Sequence, residues 1–175
     1  MARIDLCDPA RLGASDRALY DRFPANLMRA LLRTDCTAGY QALGFALRAT
    51  RLDAKRRELV ILRVASLSDS RYERMQHLPP AREAGWTDAE IAAIEAGRCE
   101  PLGQPEAALL RFVDECVERV RVSDLTFAEL RRHLPEDEIA EATLLAGFYM
   151  MTARFLETLD IELDEAPCDA LIAQP

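Results

Sequence analysis

Residues 52–86 read Leu-Asp-Ala-Lys-Arg-Arg-Glu-Leu-Val-Ile-Leu-Arg-Val-Ala-Ser-Leu-Ser-Asp-Ser-Arg-Tyr-Glu-Arg-Met-Gln-His-Leu-Pro-Pro-Ala-Arg-Glu-Ala-Gly-Trp. Asp53 is a good helix N-cap residue, and a helix can run from it to Leu67. Ser68-Asp69-Ser70 is a short polar connection, and a second helix starts near Arg71. Two helices joined by so short a link form an antiparallel hairpin, in which residues equally far from the turn lie side by side. Glu58 stands 11 residues before Asp69 and His77 stands 8 after it. At about 1.5 Å per residue the mismatch is only about one turn. The spacing therefore predicts that Glu58 and His77 meet in the seam, with Ser70 and Glu73 nearer the turn.

On a helical wheel of residues 54–67, Arg56 and Arg63 fall on one side. Glu58 falls nearly opposite, among Ile61, Leu62 and Ala65. A carboxylate on an apolar face must find a partner or hold its proton. An arginine from elsewhere in the fold is one such partner, which would make Glu58 purely structural. On the following helix Ser70, Glu73 and His77 recur at i, i+3 and i+7, and Arg74 shares that face. A solvated polar stripe would look the same. A buried carboxylate beside an imidazole is also the arrangement that orients a general base. Pro79-Pro80 is expected to kink or end the helix near Leu78, leaving His77 at a helix C-terminus.

Outward from this hairpin, punctuation marks further helices. Short helices are expected over 16–33 around Phe23-Pro24, and one capped by Thr34 or Asp35 runs to about Arg48. Thr87-Asp88-Ala89-Glu90 is a capping box, and Gly97 is a helix stop. Pro105 opens a helix to about Val120. Thr126-Phe127-Ala128-Glu129 reads as a second capping box. Pro135 starts the longest helix, in which Ile139, Ala142, Leu145, Phe148, Thr152, Phe155 and Leu159 form one stripe. The acidic tail after Asp160 is expected to be loosely held.

Composition agrees with an all-α fold. Ala and Leu supply 53 of the 175 residues, Val and Ile only 13. Helix formers therefore dominate, and no Asn-Gly or Asp-Gly hairpin signal is present. One domain is expected at this length. The net charge of −8 argues against nucleic-acid binding and against an anionic membrane surface. No apolar run approaches a membrane span, and the first residues lack a secretory pattern, so a cytoplasmic location is expected. Five cysteines at 7, 36, 99, 116 and 168 include no Cys-x-x-Cys, which disfavours disulfide frameworks and zinc ribbons.

Other candidate residues read more blandly. His133 reads as a surface or capping residue, and Trp86 and Tyr149 as core or pocket wall. Glu73 and His77 alone are too few ligands for a metal, so no metal or other cofactor is expected. The helix over 54–67 is apolar on most sides, with Leu59, Val60 and Leu67 near its arginine face. A homo-oligomer would cover that surplus.

Arg57 to Ala65 followed by Ser70-x-Tyr72-Glu73-x-x-x-His77 and Ala84-Gly85-Trp86-Thr87-x-x-Glu90-Ile91 resembles the carboxymuconolactone decarboxylase and alkylhydroperoxidase D-like superfamily. Residues 148–156 are similar to its closing helix. The resemblance implies an alkylhydroperoxidase D-like helical bundle over 23–163, with an N-terminal extension 1–22 and an acidic tail 164–175. It also implies dimers, trimers or hexamers. The peroxidase branch carries Glu-x(11)-Cys-x-x-Cys-x-x-x-His. Here the two cysteine positions hold Ser70 and Glu73, while Glu58 and His77 match. The resemblance therefore implies a thiol-free member with catalytic Glu58 and His77, and with Ser70, Glu73, Tyr72 and Tyr149 contacting a small carbonyl or lactone substrate. Decarboxylation, isomerisation or lactone hydrolysis would suit such a site. The alternatives are an antioxidant peroxidase and a non-catalytic oligomeric binding protein.

Overall fold

A computed structural model describes residues 1–168, and these contain nine α-helices, one 3₁₀ turn at Pro9–Arg11 and no strand. The helices are α1 (Ala14–Arg22), α2 (Asn26–Leu31), α3 (Thr37–Arg48), α4 (Ala54–Leu67), α5 (Arg71–Glu83), α6 (Asp88–Glu95), α7 (Gln104–Arg119), α8 (Asp124–Leu130) and α9 (Glu136–Thr158). The all-α expectation holds. Among the described residues no helix is long and apolar enough to cross a membrane.

The hairpin at the centre of the sequence is the centre of the fold. Asp53 caps α4 by accepting from the Arg56 backbone N–H at 2.9 Å. Asp69 turns the chain with a positive φ of 51°, a conformation that Asp tolerates better than most residues. α4 then packs against α5, α7, α9 and α6. Leu59, Val60, Ile61, Leu62 and Val64 are consequently buried on every side of the helix. Each such side chain contributes about 1.5–3 kcal/mol of transfer free energy. Leu59 and Val60 are thus covered inside the chain, and the apolar surplus that suggested an oligomer is met by α6 and α7.

Arg63 is held on the same helix. Its guanidinium donates to the Asp114 carboxylate at 2.5 Å and to the Glu95 carbonyl at 2.7 Å, tying α4 to α6 and α7. Gly97 is required beside it. Its φ is +69°, and a Cβ there would lie 2.6 Å from an Arg63 nitrogen.

Several sequence expectations are corrected. α5 does not end near Leu78; it continues through Pro79 and Pro80 to Glu83. Proline's fixed φ is compatible with a helix, and packing of Pro80 and Ala81 into the core outweighs the lost hydrogen bonds. His77 accordingly sits inside the helix, not at its end. Helix α8 begins three residues before the expected box: Ser123 is its cap and accepts from the Thr126 N–H at 3.3 Å. α3 begins at Thr37 without a side-chain cap, because Thr37 turns its hydroxyl back to the Leu31 carbonyl at 2.6 Å. Pro135 is the cap of α9, not its first helical residue.

The chain ends are also better anchored than expected. The Arg3 and Cys7 amides donate to the carbonyls of Leu159 and Arg29. Ile161 packs with Leu27, Met28, Leu31, Tyr72 and Leu156 in a second core cluster. The tail over 161–168 is therefore tied down, in contrast to the loose segment expected after Asp160. The remainder of the expected 164–175 tail lies outside the described residues.

Candidate functional site

The α4–α5 seam brings Glu58 and His77 together, as the register predicts. His77 Nδ1 lies 2.8 Å from Glu58 Oε2, and both side chains are nearly sealed from solvent. A carboxylate accepts only from N–H, so Nδ1 carries the proton and, in the neutral ring, Nε2 holds the free lone pair. The second Glu58 oxygen lies 3.5 Å from Arg57 Nε. The imidazole partner is thus the one the register predicts, while the arginine is the adjacent Arg57 and not one from elsewhere in the fold.

One turn before His77, Glu73 approaches the opposite edge of the ring, with Oε2 3.6 Å from Nε2. Burial pushes the Glu73 carboxyl up to about 7. His77 opposes that shift, whereas Glu58 and Glu157 add to it. Near neutral pH Glu73 therefore exists in both protonation states. The imidazole is flanked by two carboxyl groups on opposite nitrogens, and the two are not equivalent. Among the described residues no three of His, Cys, Asp or Glu are disposed to hold a metal ion.

Nε2 and Glu73 face a cavity of about 80 Å³, whose apolar wall is formed by Phe23, Leu27, Met28, Tyr40, Phe45, Tyr72, Phe148 and Tyr149. Its polar lining comprises Gln41, Arg48, Glu73, Gln76 and His77. The Tyr149 ring meets His77 edge-on at 5.0 Å between centroids and meets Phe148 at 5.5 Å, while Tyr40 stacks at a tilt on Phe148. Gly44 permits this closeness, since a Cβ there would stand 3.3 Å from the Phe148 ring. A smaller space of about 10 Å³, the size of one water, lies on the Glu58 side between Gly44, Arg57 and His77.

The Tyr40 hydroxyl bonds Thr152 Oγ1 at 2.7 Å, and burial together with the Glu73 charge holds it in the phenol form. Burial does the same for Tyr149, with Glu73 and Glu58 contributing. Tyr72 turns its hydroxyl away from the cavity: it accepts from the Leu27 amide at 3.1 Å and donates to Asp164.

The sequence-predicted set therefore divides. Glu58, Glu73, His77 and Tyr149 converge on one place. Tyr72 contributes its ring to the wall, but its polar end is committed to the scaffold. Ser70 is buried at the start of α5, does not line the cavity, and its hydroxyl has no partner among the described residues. Arg74 does not share the site face; it is half exposed and pairs with Glu95. Trp86 is core, its indole N–H donating to the Lys55 carbonyl at 2.7 Å. His133 pairs with Glu129 at 3.5 Å, far from this seam in the sequence and absent from the cavity wall. Sequence reasoning missed Tyr40, Gln41, Gln76 and Phe148 as pocket residues. The Gln76 side chain follows Glu73 on the same helix, and Phe148 was read only as part of a core stripe.

A helical bundle that buries a carboxylate–imidazole pair behind an aromatic cavity defines the class: an alkylhydroperoxidase D-like, all-α single-domain protein. Residues 35–115, which contain Glu58, Ser70, Glu73 and His77, match the model of the Carboxymuconolactone decarboxylase family. The fold recurs in solved structures. A peroxidase-related protein with an alkylhydroperoxidase AhpD core from Ralstonia eutropha JMP134 is 16% identical at a TM-score of 0.82, over 94% of this chain and 93% of that one. A protein of unknown function from Agrobacterium tumefaciens, a candidate antioxidant defence protein AhpD, is 20% identical at 0.72, over 77% and 94%. The debrominase Bmp8, as a Cys-to-Ala variant with 2,3,4-tribromopyrrole, is 14% identical at 0.74, over 99% and 97%. At these identities the likeness speaks for the fold. No curated protein sequence matches the chain.

Proposed function

We propose that this protein is a cofactor-independent acid–base catalyst that moves a proton on or off carbon in a small carbonyl or lactone substrate. The observation that carries this reading is the division of labour at His77. Glu58 engages Nδ1 at 2.8 Å, so the basic Nε2 faces the cavity. An oriented imidazole of this kind typically contributes about 10²–10⁴-fold to a proton transfer. The aromatic wall excludes competing water and strengthens the charge interactions inside. Glu58 positions the ring and stabilises the imidazolium formed when Nε2 takes a proton. Ser70 and Glu73, which occupy the motif positions of the peroxidase thiols, offer no nucleophilic sulfur, and none of the five cysteines lines the cavity. Thiol chemistry is therefore less well supported than proton transfer.

The test is deprotonation of nitroethane, an uncharged carbon acid small enough for the cavity, followed by ¹H NMR exchange in D₂O. Wild type accelerates the exchange, and His77→Ala loses about 10²-fold of that acceleration while retaining its thermal unfolding transition. Equal rates in the folded His77→Ala variant would overturn the reading.

A further inference from the structure

We infer that Glu73 is a second catalytic residue of this site, the acid that protonates the substrate oxygen while His77 takes a proton from carbon, so that the preferred substrates are uncharged enolisable carbonyl compounds. The inference rests on the proton-transfer reading above and names its substrate class. Three observations carry it.

The first is position. Glu73 and His77 stand one turn apart on α5 and line the same cavity, with Oε2 3.6 Å from Nε2. A bound carbonyl compound can touch both, since its oxygen and its α-hydrogen sit on adjacent carbons, only three bonds apart. The second is chemistry. The Glu73 side chain is buried, and no arginine or lysine is paired with its carboxylate among the salt bridges of the described residues. The imidazole edge stands beside it, with Nε2 3.6 Å from its Oε2. A carboxyl group in such a place holds its proton readily and can donate it. The third is the cavity wall. Aromatic and aliphatic side chains dominate it, and a second carboxylate, Glu58, lies just behind His77. Arg48 also lines the cavity, but the two groups that flank the imidazole are both carboxyls, so an anion held at His77 would face their charge in a low-dielectric space, whereas an uncharged carbonyl would not.

The step balances. His77 Nε2 takes the α-proton, and the C–H electron pair becomes the C=C bond. The carbonyl π pair moves to oxygen, which takes the proton of Glu73. The products are an enol, an imidazolium and a carboxylate. The imidazolium then returns its proton to Glu73 across the 3.6 Å gap, restoring neutral imidazole and carboxylic acid without recruiting water. The carboxyl group thus serves twice, as the acid and as the device that resets the base.

The experiment compares two probes of similar size, nitroethane and butanone, by hydrogen–deuterium exchange at carbon. Nitroethane is acidic enough to need only the base, whereas butanone needs its oxygen protonated as well. Glu73→Gln is close to isosteric and cannot donate a carboxylic proton. It is expected to slow nitroethane exchange by about threefold and butanone exchange by about 10²-fold, so that the ratio of the two rises by more than tenfold. Nitroethane turnover by that variant also reports that the fold and His77 are intact. Equal losses on both probes, or no loss on either, would overturn the role of Glu73 while leaving the base reading standing. Loss of the His77 dependence with nitroethane would overturn both.

Discussion

Glu58 and His77 are 19 residues apart in the chain and 2.8 Å apart in space, and their contact bridges α4 and α5 at the heart of the bundle. The same contact is a structural joint and, in the function we propose, the device that orients the base; substitutions separate the two roles. Removing one partner of a buried charged pair leaves the other unpaired, at a cost of about 3–5 kcal/mol. Glu58→Ala is therefore expected to lower stability by about 3 kcal/mol in urea titrations. Glu58→Gln retains a hydrogen-bonding oxygen and is expected to cost about 1 kcal/mol. If the pair mattered only to stability, Glu58→Gln would leave nitroethane exchange at the wild-type rate; we expect a loss of about tenfold or more.

Glu73 gives the protein a pH signature. Its carboxyl is raised from 4.5 in the unfolded chain to about 7 in the folded one, first by burial. The groups that face it are His77, Glu58, Glu157, Tyr40, Tyr72 and Tyr149. A group whose folded value is raised binds more protons when native, so its favourable contribution is complete below pH 4.5 and is lost as pH rises through about 7. The loss over that window is of order 3 kcal/mol for this one group. Unfolding free energies of wild type and Glu73→Gln across that range test the sign: their difference should tilt in favour of Glu73→Gln with increasing pH. A pH-independent difference would show that Glu73 does not titrate there.

One carboxylate ties the tail to two helices at once. Asp164 accepts from the Tyr72 hydroxyl, from Gln76 Nε2 at 2.9 Å and from the Asn26 amide at 2.8 Å, joining α2 to α5. Asp164→Ala leaves those donors without their acceptor and is expected to cost about 2 kcal/mol. Amide hydrogen exchange should accelerate at Asn26 and over residues 161–168 while the interior of α4 stays protected. Unchanged exchange at Asn26 would show that the carboxylate does not hold α2.

The readings that survived and those that failed have different physical origins. Asp53, the three-residue turn and Gly97 are local signals, set by backbone geometry within a few residues, and the first two fixed the hairpin register that joins Glu58 to His77. Pro79-Pro80 misled because the cost of a proline in a helix is local, whereas the packing that offsets it comes from α4 and the core. Thr126 misled because two hydroxyl residues three apart, Ser123 and Thr126, offer equally good caps, and Glu115 from α7 takes the Thr126 hydroxyl at 2.7 Å. Asp164 was illegible for a related reason. Its partners are 88 to 138 residues away, and nothing beside it in the acidic tail marks it as the carboxylate that bridges two helices.

The last prediction concerns the motif positions themselves. Peroxide reduction by a dithiol needs a thiolate that attacks and a second thiol that resolves the sulfenic acid. No disulfide joins any two of Cys7, Cys36, Cys99, Cys116 and Cys168, and none lines the cavity beside His77. Burial raises the Cys116 thiol, which makes it a poor nucleophile. Wild type is therefore expected to consume hydroperoxide with a dithiol reductant no faster than a variant lacking all five cysteines. The double change Ser70→Cys and Glu73→Cys puts a Cys-x-x-Cys at the start of α5, where the helix dipole favours thiolate and His77 stands one turn on. That variant should form a reducible disulfide, detectable by thiol titration before and after reduction, and gain measurable peroxide turnover. It should also lose the acceleration of butanone exchange that we assign to Glu73. Peroxide turnover by wild type that vanishes in the cysteine-free variant would place the chemistry on a thiol and displace the proton-transfer reading.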